Sequence, residues 1–315
     1  MRTTVLLLSV DEAPLLERSL PAALDQDPRP EVVVVDNGSG DRTAEVAARH
    51  GVRVLRLEER LSYAAAVNLA IRQTDGEAVL LLNADCFLQP GFLQYALPRL
   101  REDGIGSVAP KLLRISGPGA PAQEIDAAGM YVDRRRKNGL TGFGQAAARF
   151  DRPTEVFGAD GAAALYRRET LEDCALNGEE VLDEDMALWA SDADLAWRAQ
   201  LLGWRCAYEP RAVAHHIRTY SPATRARMSE EARRLQFRNR YLMIVKNETG
   251  PGLLRHGLLI AAWELVALGH VVLRERHLLA GYREAWSRLP AARRRRREIQ
   301  GRRRAAMAPF GMKAQ

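Results

Sequence analysis

Val32-Val33-Val34-Val35-Asp36-Asn37-Gly38-Ser39-Gly40-Asp41 decides how this chain folds. Four β-branched residues with no polar alternation describe a strand buried on both faces, as in a parallel sheet. The run stops abruptly on carboxylates and small residues, and the carboxyl ends of such strands are where open α/β sheets bind ligands. Leu80-Leu81-Leu82-Asn83-Ala84-Asp85 has the same form. Two strand ends carrying Asp36, Asp41 and Asp85 suit the donor groups of a nucleotide and a divalent cation that in turn holds phosphate.

Outward from these two runs, strands and helices alternate. Val5–Val10, Val32–Val35, Val52–Leu57 and Ala78–Leu82 read as strands, and Ala13–Leu24, Thr43–His50 and Ala64–Gln73 as helices. This alternation predicts an α/β fold with a mostly parallel sheet flanked by helices. Val5–Val10 is short and soon followed by Asp11 and Glu12, so it reads as the first strand and not as a signal peptide. Residues 111–155 are rich in Gly, Pro and Arg, with a loop at Ser116–Pro121 and a basic turn at Asp133–Gly139. The small-residue segment Val156–Tyr166 is strand-like and permits close approach of a ligand. Ser191 and Asp194 have capping-box spacing at the start of a helix, and Trp204–Tyr208 is a further strand.

The chain has 315 residues, 47% of them hydrophobic, enough for a substantial core. Cys86, Cys174 and Cys206 are odd in number and widely spaced, which argues against a disulfide framework and for a reducing compartment. The net charge of +6 is unevenly placed: residues 251–315 hold 14 Lys and Arg against 4 acids, and the remainder is mildly acidic. We therefore divide the chain into a body, residues 1–250, and a helical, Arg-rich extension, residues 251–315. Leu258–Leu273 is apolar apart from Glu264 and His270, too short and too charged at its centre for a transmembrane span. An apolar helix beside Arg293–Arg297 and Arg302–Arg304 reads as attachment to an anionic membrane surface. Without aromatic interleaving or a recognition motif, the basic tail is not read as a nucleic-acid site.

Each candidate residue has an ordinary structural reading too. Asp36 and Asn37 fit an Asx turn, Asp85 fits a helix cap, Asp192 and Asp194 fit the positive end of a helix dipole, and His215-His216 fit a loop. A carboxylate facing a sugar hydroxyl also suits a general base, and a histidine suits a metal or diphosphate site.

Taken in order, several segments resemble family 2 glycosyltransferases of the GT-A fold, and most closely their rhamnosyltransferase-like branch. They are Val35–Ser39, Ser62–Asn68, Leu82–Asp85, Gly158-Ala159 with Arg167-Arg168, Leu182–Asp185, Asp192–Arg198, Gly203–Arg205, His215-His216 and Arg238–Tyr241. The resemblance spans roughly residues 3–250 and rests on the order of the motifs more than on any one of them. It implies inverting transfer of a sugar from a nucleotide-diphosphate donor, dTDP-rhamnose first and a UDP-sugar second. The acceptor it implies is a hydroxyl of a cell-envelope glycan or lipid-linked saccharide at the cytoplasmic face. By resemblance Asp36 contacts the nucleobase, with Ser9, Asn37 and Ser39 beside it. Asn68, Asn83 and Ala84 also fall to the nucleotide sugar. Asp85 matches the retained acid of the metal motif for Mg²⁺ or Mn²⁺, joined by His215 or His216, and Asp192 matches the base.

Two positions depart from the family pattern: Asn83 stands where a first metal acid is common, and Ser191 stands where a Glu usually precedes the base. They are the only support for a membrane-docked, non-catalytic nucleotide-sugar-binding protein. Ser9-Val10-Asp11-Glu12 lacks the Gly-rich loop of a nucleotidyltransferase and the GxGxxG of a dinucleotide dehydrogenase.

Overall fold

A computed structural model describes residues 1–220 and 222–314. In the first half, β1 (Thr3–Ser9), α1 (Ala13–Leu24), β2 (Glu31–Asp36), α2 (Thr43–Arg49), β3 (Arg53–Arg56), α3 (Tyr63–Arg72) and β4 (Ala78–Asn83) alternate as the pattern predicts. They are followed by β5 (Cys86–Leu88), α4 (Phe92–Leu100), β6 (Ile105–Arg114) and β7 (Glu124–Ala128). A small hairpin, β8 (Met130–Val132) and β9 (Asn138–Leu140), precedes β10 (Thr154–Val156), β11 (Ala163–Arg167), α5 (Arg168–Cys174), α6 (Ser191–Leu201) and β12 (Arg205–His216). The remainder is helical: α7 (Glu230–Asn247), α8 (Gly250–Arg274), α9 (Leu279–Ser287) and α10 (Leu289–Arg302).

The main sheet runs β10-β12-β6-β11-β4-β1-β2-β3, with β5 on β12 and β7 on β6. β3, β2, β1 and β4 are parallel, and β11 is antiparallel to both β4 and β6. The sheet is therefore mixed, as in the GT-A arrangement. Valines and leucines of β1, β2 and β4 alternate between two apolar clusters, one on each face. Val5, Leu7, Val34 and Leu80 point one way, and Leu6, Val33, Val35 and Leu81 the other. Burial on both faces explains the uninterrupted apolar runs.

Three expectations change. The segment Val156–Tyr166 is not one strand: it breaks between β10 and β11, and the break carries Asp160 and Gly161. The capping box does not form, because Ala190 is the residue preceding α6 and the Asp194 carboxylate is bonded to Arg198 and Asn247. The apolar helix begins earlier than its apolar core, so α8 reaches 25 residues and by length and composition is long enough to cross a membrane.

The residues after 250 fold back onto the body. Ile299 of α10, Ala308 and Phe310 share an apolar cluster with Met243 of α7 and Trp197 of α6. Several tail arginines serve as clips. Arg296 donates to the carbonyls of Val245 and Glu248, Arg302 to those of Asp173 and Ala175, and Arg304 to that of Leu202. Arg295 is buried and pairs with Asp183 and Glu180. The arginine run is thus not a free cationic tail. Arg293, Arg294 and Arg297 remain exposed.

Candidate active site

Register brings the strand ends together. Ser9 pairs with Asp36 across β1 and β2, and Leu8 with Asn83 across β1 and β4. Asp36 is buried and accepts from the Ser39 amide at 3.0 Å. Asn37 clasps the Leu61 backbone through both ends of its carboxamide, at 2.8 and 3.0 Å. Gly38 sits at φ +66°, and a side chain there would come within 2.8 Å of the Arg60 amide nitrogen. The Ser39 hydroxyl accepts from the Asp11 amide at 3.1 Å, and the Ser9 hydroxyl lies 3.4 Å from that of Thr43. Ser9, Asp36, Asn37 and Ser39 therefore form one corner, where most of their polar groups brace the turns around them.

Asn68 is elsewhere. It is buried inside α3 and uses its whole carboxamide on Leu182 and Glu184, at 2.8–3.0 Å. Its role here is to hold the segment leading to α6 and not to present a free group to a ligand.

After β4, the Asn83 amide donates to Ala162 and the buried Ala84 amide donates to Leu8. Asp85 then projects toward β12. Adjacent residues on a strand face opposite ways, so His215 and His216 cannot share a site. His216 is the one that faces Asp85: its Nε2 lies 3.4 Å from Asp85 Oδ1, and its Nδ1 lies 2.8 Å from Asp126 Oδ2. Burial works against charge on His216, but the hydrogen bond to Asp126 and the nearby Asp85 carboxylate outweigh it and push its pKa up to about 9. His215 is half-exposed on the other side, and burial pulls its pKa below the usual value.

Asp126, Asp160, Arg218 and Glu12 were not found by sequence reasoning. Asp126 on β7 is buried and accepts from Arg218 Nε and Nη2 at 2.7 and 2.8 Å. Arg218 also donates to Asp160 at 2.9 Å, so one guanidinium joins two carboxylates. Glu12, just after β1, has its carboxyl pushed up to about 7, first by burial and then by the charge of Asp85. Its only sequence signal was its place beside Ser9-Val10-Asp11.

Asp192 lies in the first turn of α6. Its Oδ1 accepts from the Ala193 amide at 2.8 Å and its Oδ2 from the Gly161 amide at 3.3 Å. Burial, followed by repulsion from Asp160, pushes its carboxyl up to about 6. The preceding loop is strained, with Ala187, Trp189 and Ala190 all at φ near +60°. Asn239 of α7 holds that loop, donating to the carbonyls of Met186, Leu188 and Trp189 at 2.7–2.9 Å. Half-buried Tyr63 lies beside the same residues, its hydroxyl 3.5 Å from the Gly161 carbonyl, and that hydroxyl is pushed above the usual phenol range by burial first and by the charges of Asp192, Asp160 and Asp85 next. Contacts connect the three carboxylates: Asp192 accepts from Gly161 beside Asp160, Arg218 links Asp160 to Asp126, and His216 links Asp126 to Asp85.

A divalent cation fits this donor set. Asp85 Oδ1 is buried without a well-formed hydrogen bond. His216 turns Nε2 toward the same spot while Asp126 takes Nδ1, so a cation that displaced the Nε2 proton would meet the outer-shell arrangement typical of metal-binding histidines. No cluster of three such ligands occurs among the described residues, so a cation here would take two protein ligands and its remaining ones from elsewhere. Replacing Asp126 by Asn is expected to weaken Mn²⁺ binding about 10–100-fold, read by electron paramagnetic resonance of free Mn²⁺. Unchanged affinity would remove Asp126 from this role.

A mixed α/β sheet flanked by helices, with acidic strand ends, is the architecture of a GT-A-type domain. Residues 4–174 match the family described as Glycosyl transferase family 2, and the chain belongs to that family. It is similar to the poly-beta-1,6-N-acetyl-D-glucosamine synthase of Staphylococcus epidermidis, 24% identical over 216 residues, covering 66% of this chain and 48% of that protein. The Staphylococcus aureus (strain COL) synthase of the same name is 24% identical over 218 residues, with 67% and 48% covered. The chain thus spans about half the length of the curated relatives it matches.

Solved structures share the fold. S. aureus TarS 1-349 in complex with UDP-GlcNAc has TM-score 0.60 and 16% identity, covering 96% of this chain and 92% of that one. The mannosyltransferase PcManGT from Pyrobaculum calidifontis, in complex with GDP-Man and Mn²⁺, has TM-score 0.54 and 21% identity, covering 92% and 75%.

Proposed function

We propose that this protein transfers a sugar from a nucleotide-diphosphate donor to a hydroxyl of a cell-envelope glycan or lipid-linked saccharide, with inversion, at the cytoplasmic face of the membrane. The observation that carries the reading is Asp192. Its carboxyl, raised to about 6, is joined to the Asp85–His216 pair through Gly161, Asp160, Arg218 and Asp126. A carboxylate titrating near neutrality is matched to removing a proton from a sugar alcohol. The acceptor O–H proton passes to Asp192, the oxygen bonds to the anomeric carbon, and the bond from that carbon to the diphosphate oxygen breaks on the opposite side. Asp85 and His216 would hold Mg²⁺ or Mn²⁺, which neutralises charge on the leaving diphosphate. Asp36, with Ser9, Asn37 and Ser39 around it, would receive the nucleoside, and Asn83 and Ala84 the sugar-phosphate side.

The resemblance favours dTDP-rhamnose as donor. A UDP-sugar is second, supported by the relatives named for N-acetylglucosamine polymer synthesis and by the UDP-GlcNAc complex of TarS. The Mn²⁺ in the PcManGT complex supports a divalent cation.

Thermal unfolding with dTDP, UDP and GDP, each with Mn²⁺ or EDTA, tests the reading. One nucleotide with Mn²⁺, at about 100 times its Kd, should stabilise by roughly 2.7 kcal/mol. EDTA or Asp85→Asn should remove most of that gain. A flat response to all three nucleotides would contradict the assignment.

A further inference from the structure

α8 is tied to the body along one side and bare along the other. The ties run its whole length. His256 Nδ1 lies 3.4 Å from Arg136, and the Arg135 guanidinium stacks 4.3 Å over Trp263. Glu264 accepts from Tyr241 at 2.5 Å and from Arg240 at 2.7 Å. Just past the helix, Glu275 pairs with Arg225 and Arg233 at 2.7 and 2.8 Å. At 3.6 residues per turn, His256, Ile260, Trp263, Glu264 and Val271 share this inner side.

The outer side carries Leu254, Leu258, Ala261, Leu265, Leu268 and Val272. Leu254, Leu258 and Leu265 are 91%, 92% and 73% exposed. The stripe is about 27 Å long at 1.5 Å per residue. No charge interrupts it, because Glu264 faces inward. Cations stand at its ends: Arg255 at one, Arg274 and Arg276 at the other, all exposed and without an acidic partner among the described residues. A bare apolar stripe of this length marks an interaction surface, and arginines at its ends match the composition of helices that lie in a bilayer interface.

We propose that the outer face of α8 lies in the plane of an anionic lipid bilayer, its leucines in the acyl boundary and Arg255, Arg274 and Arg276 among the headgroups. This specifies the location in the reading above but stands on α8 alone, independent of the transfer chemistry. It also moves the docking surface from the run Arg293–Arg304, several of whose members are bonded to the body, to α8. The helix does not cross the bilayer: its ties would carry Arg135, Arg240 and Glu264 into the hydrocarbon with it. The four–three spacing of the stripe also suits a coiled-coil seam with a second copy. The positions flanking such a seam normally carry paired charges; here Gly257, Ala262, Gly269 and Val271 are uncharged and Glu264 is spent on Arg240 and Tyr241, which leaves Arg255 alone, while Leu259, Val266 and Leu273 widen the apolar face. A broad uncharged face bounded by cations suits lipid.

The test is flotation of the full chain with vesicles of phosphatidylcholine alone or mixed with phosphatidylglycerol, with no nucleotide sugar present. The wild type should float with the mixed vesicles and several-fold less with the neutral ones. The double variant L258E/L265E, at exposed positions, should keep its unfolding temperature and lose at least about tenfold in flotation. Equal flotation of the double variant, or a wild type that stays unbound with both vesicles, would overturn the proposal. A solution dimer that the double variant splits, without flotation, would assign the face to a second copy and overturn it as well. Failure of the transfer reading would appear in donor turnover and leave flotation unaffected.

Discussion

Asp192→Asn is expected to lower kcat by about 10²–10⁴-fold, the usual contribution of a positioned general base. Donor affinity should stay nearly unchanged, because Asn keeps the shape and can still accept from the Ala193 amide, giving up the basic oxygen and the longer contact to the Gly161 amide. The pH profile gives an independent readout. A base works only when ionised, so wild-type turnover should rise with pH and level off above about 6. Burial and the charge of Asp160 hold the carboxyl there. Asp160→Asn removes that repulsion and also releases Arg218 from one of its two carboxylates, and both changes favour the ionised form of Asp192. The inflection should therefore move to lower pH. An Asp192→Asn variant with full turnover, or an inflection that Asp160→Asn leaves in place, would remove Asp192 as the base.

Lys246→Met should cost about 3–5 kcal/mol of stability, the penalty for leaving buried charge without its partner. Lys246 is fully buried, ion-paired with Asp183, and 2.9 Å from Asp194 Oδ1. Asp194 is also held by Arg198 at 3.0 Å and Asn247 at 2.8 Å, and Asp183 by Arg295 at 3.1 Å. This one network joins α6, α7, α10 and the segment before the strained loop, so it sets where Asp192 stands. Burial opposes charge on Asp183, but Lys246 and Arg295 outweigh it and hold its carboxyl below the usual range. A lowered carboxyl stabilises the fold above its ordinary pKa, and the gain is lost as pH falls through the folded value. The wild type should therefore lose stability on acidification, and Lys246→Met should lose less. Urea unfolding measures both, as a shift of midpoint at constant slope. A variant within about 0.5 kcal/mol of wild type, the range of ordinary surface changes, would refute the clamp.

The strand ends were legible because their signal is local. Val32–Asp36 and Leu80–Asp85 declare a buried parallel strand and its polar tip within a few residues. The choice between His215 and His216 was not legible, since it depends on the facing of β12 against β5. Asp126, Asp160 and Arg218 come from a strand, a break between strands and a loop, 34 to 92 residues apart, with no local pattern to announce them. Asn68 and Asn239 belong to recognisable segments, yet their work is to hold backbone, which motif matching cannot distinguish from ligand contact. The tail misled for a related reason. A run of arginines looks like a free charged surface, while the carbonyls that Arg302 grips lie more than 120 residues away.

The most direct test of the central claim is release of nucleoside diphosphate from a panel of dTDP-, UDP- and GDP-sugars, with Mn²⁺ or EDTA, followed by chromatography. A glycosyltransferase leaks its donor slowly to water without acceptor. The account predicts slow, Mn²⁺-dependent release from one donor class, abolished in Asp85→Asn and strongly reduced in Asp192→Asn. Release from no donor, or release indifferent to EDTA and to both substitutions, would contradict it.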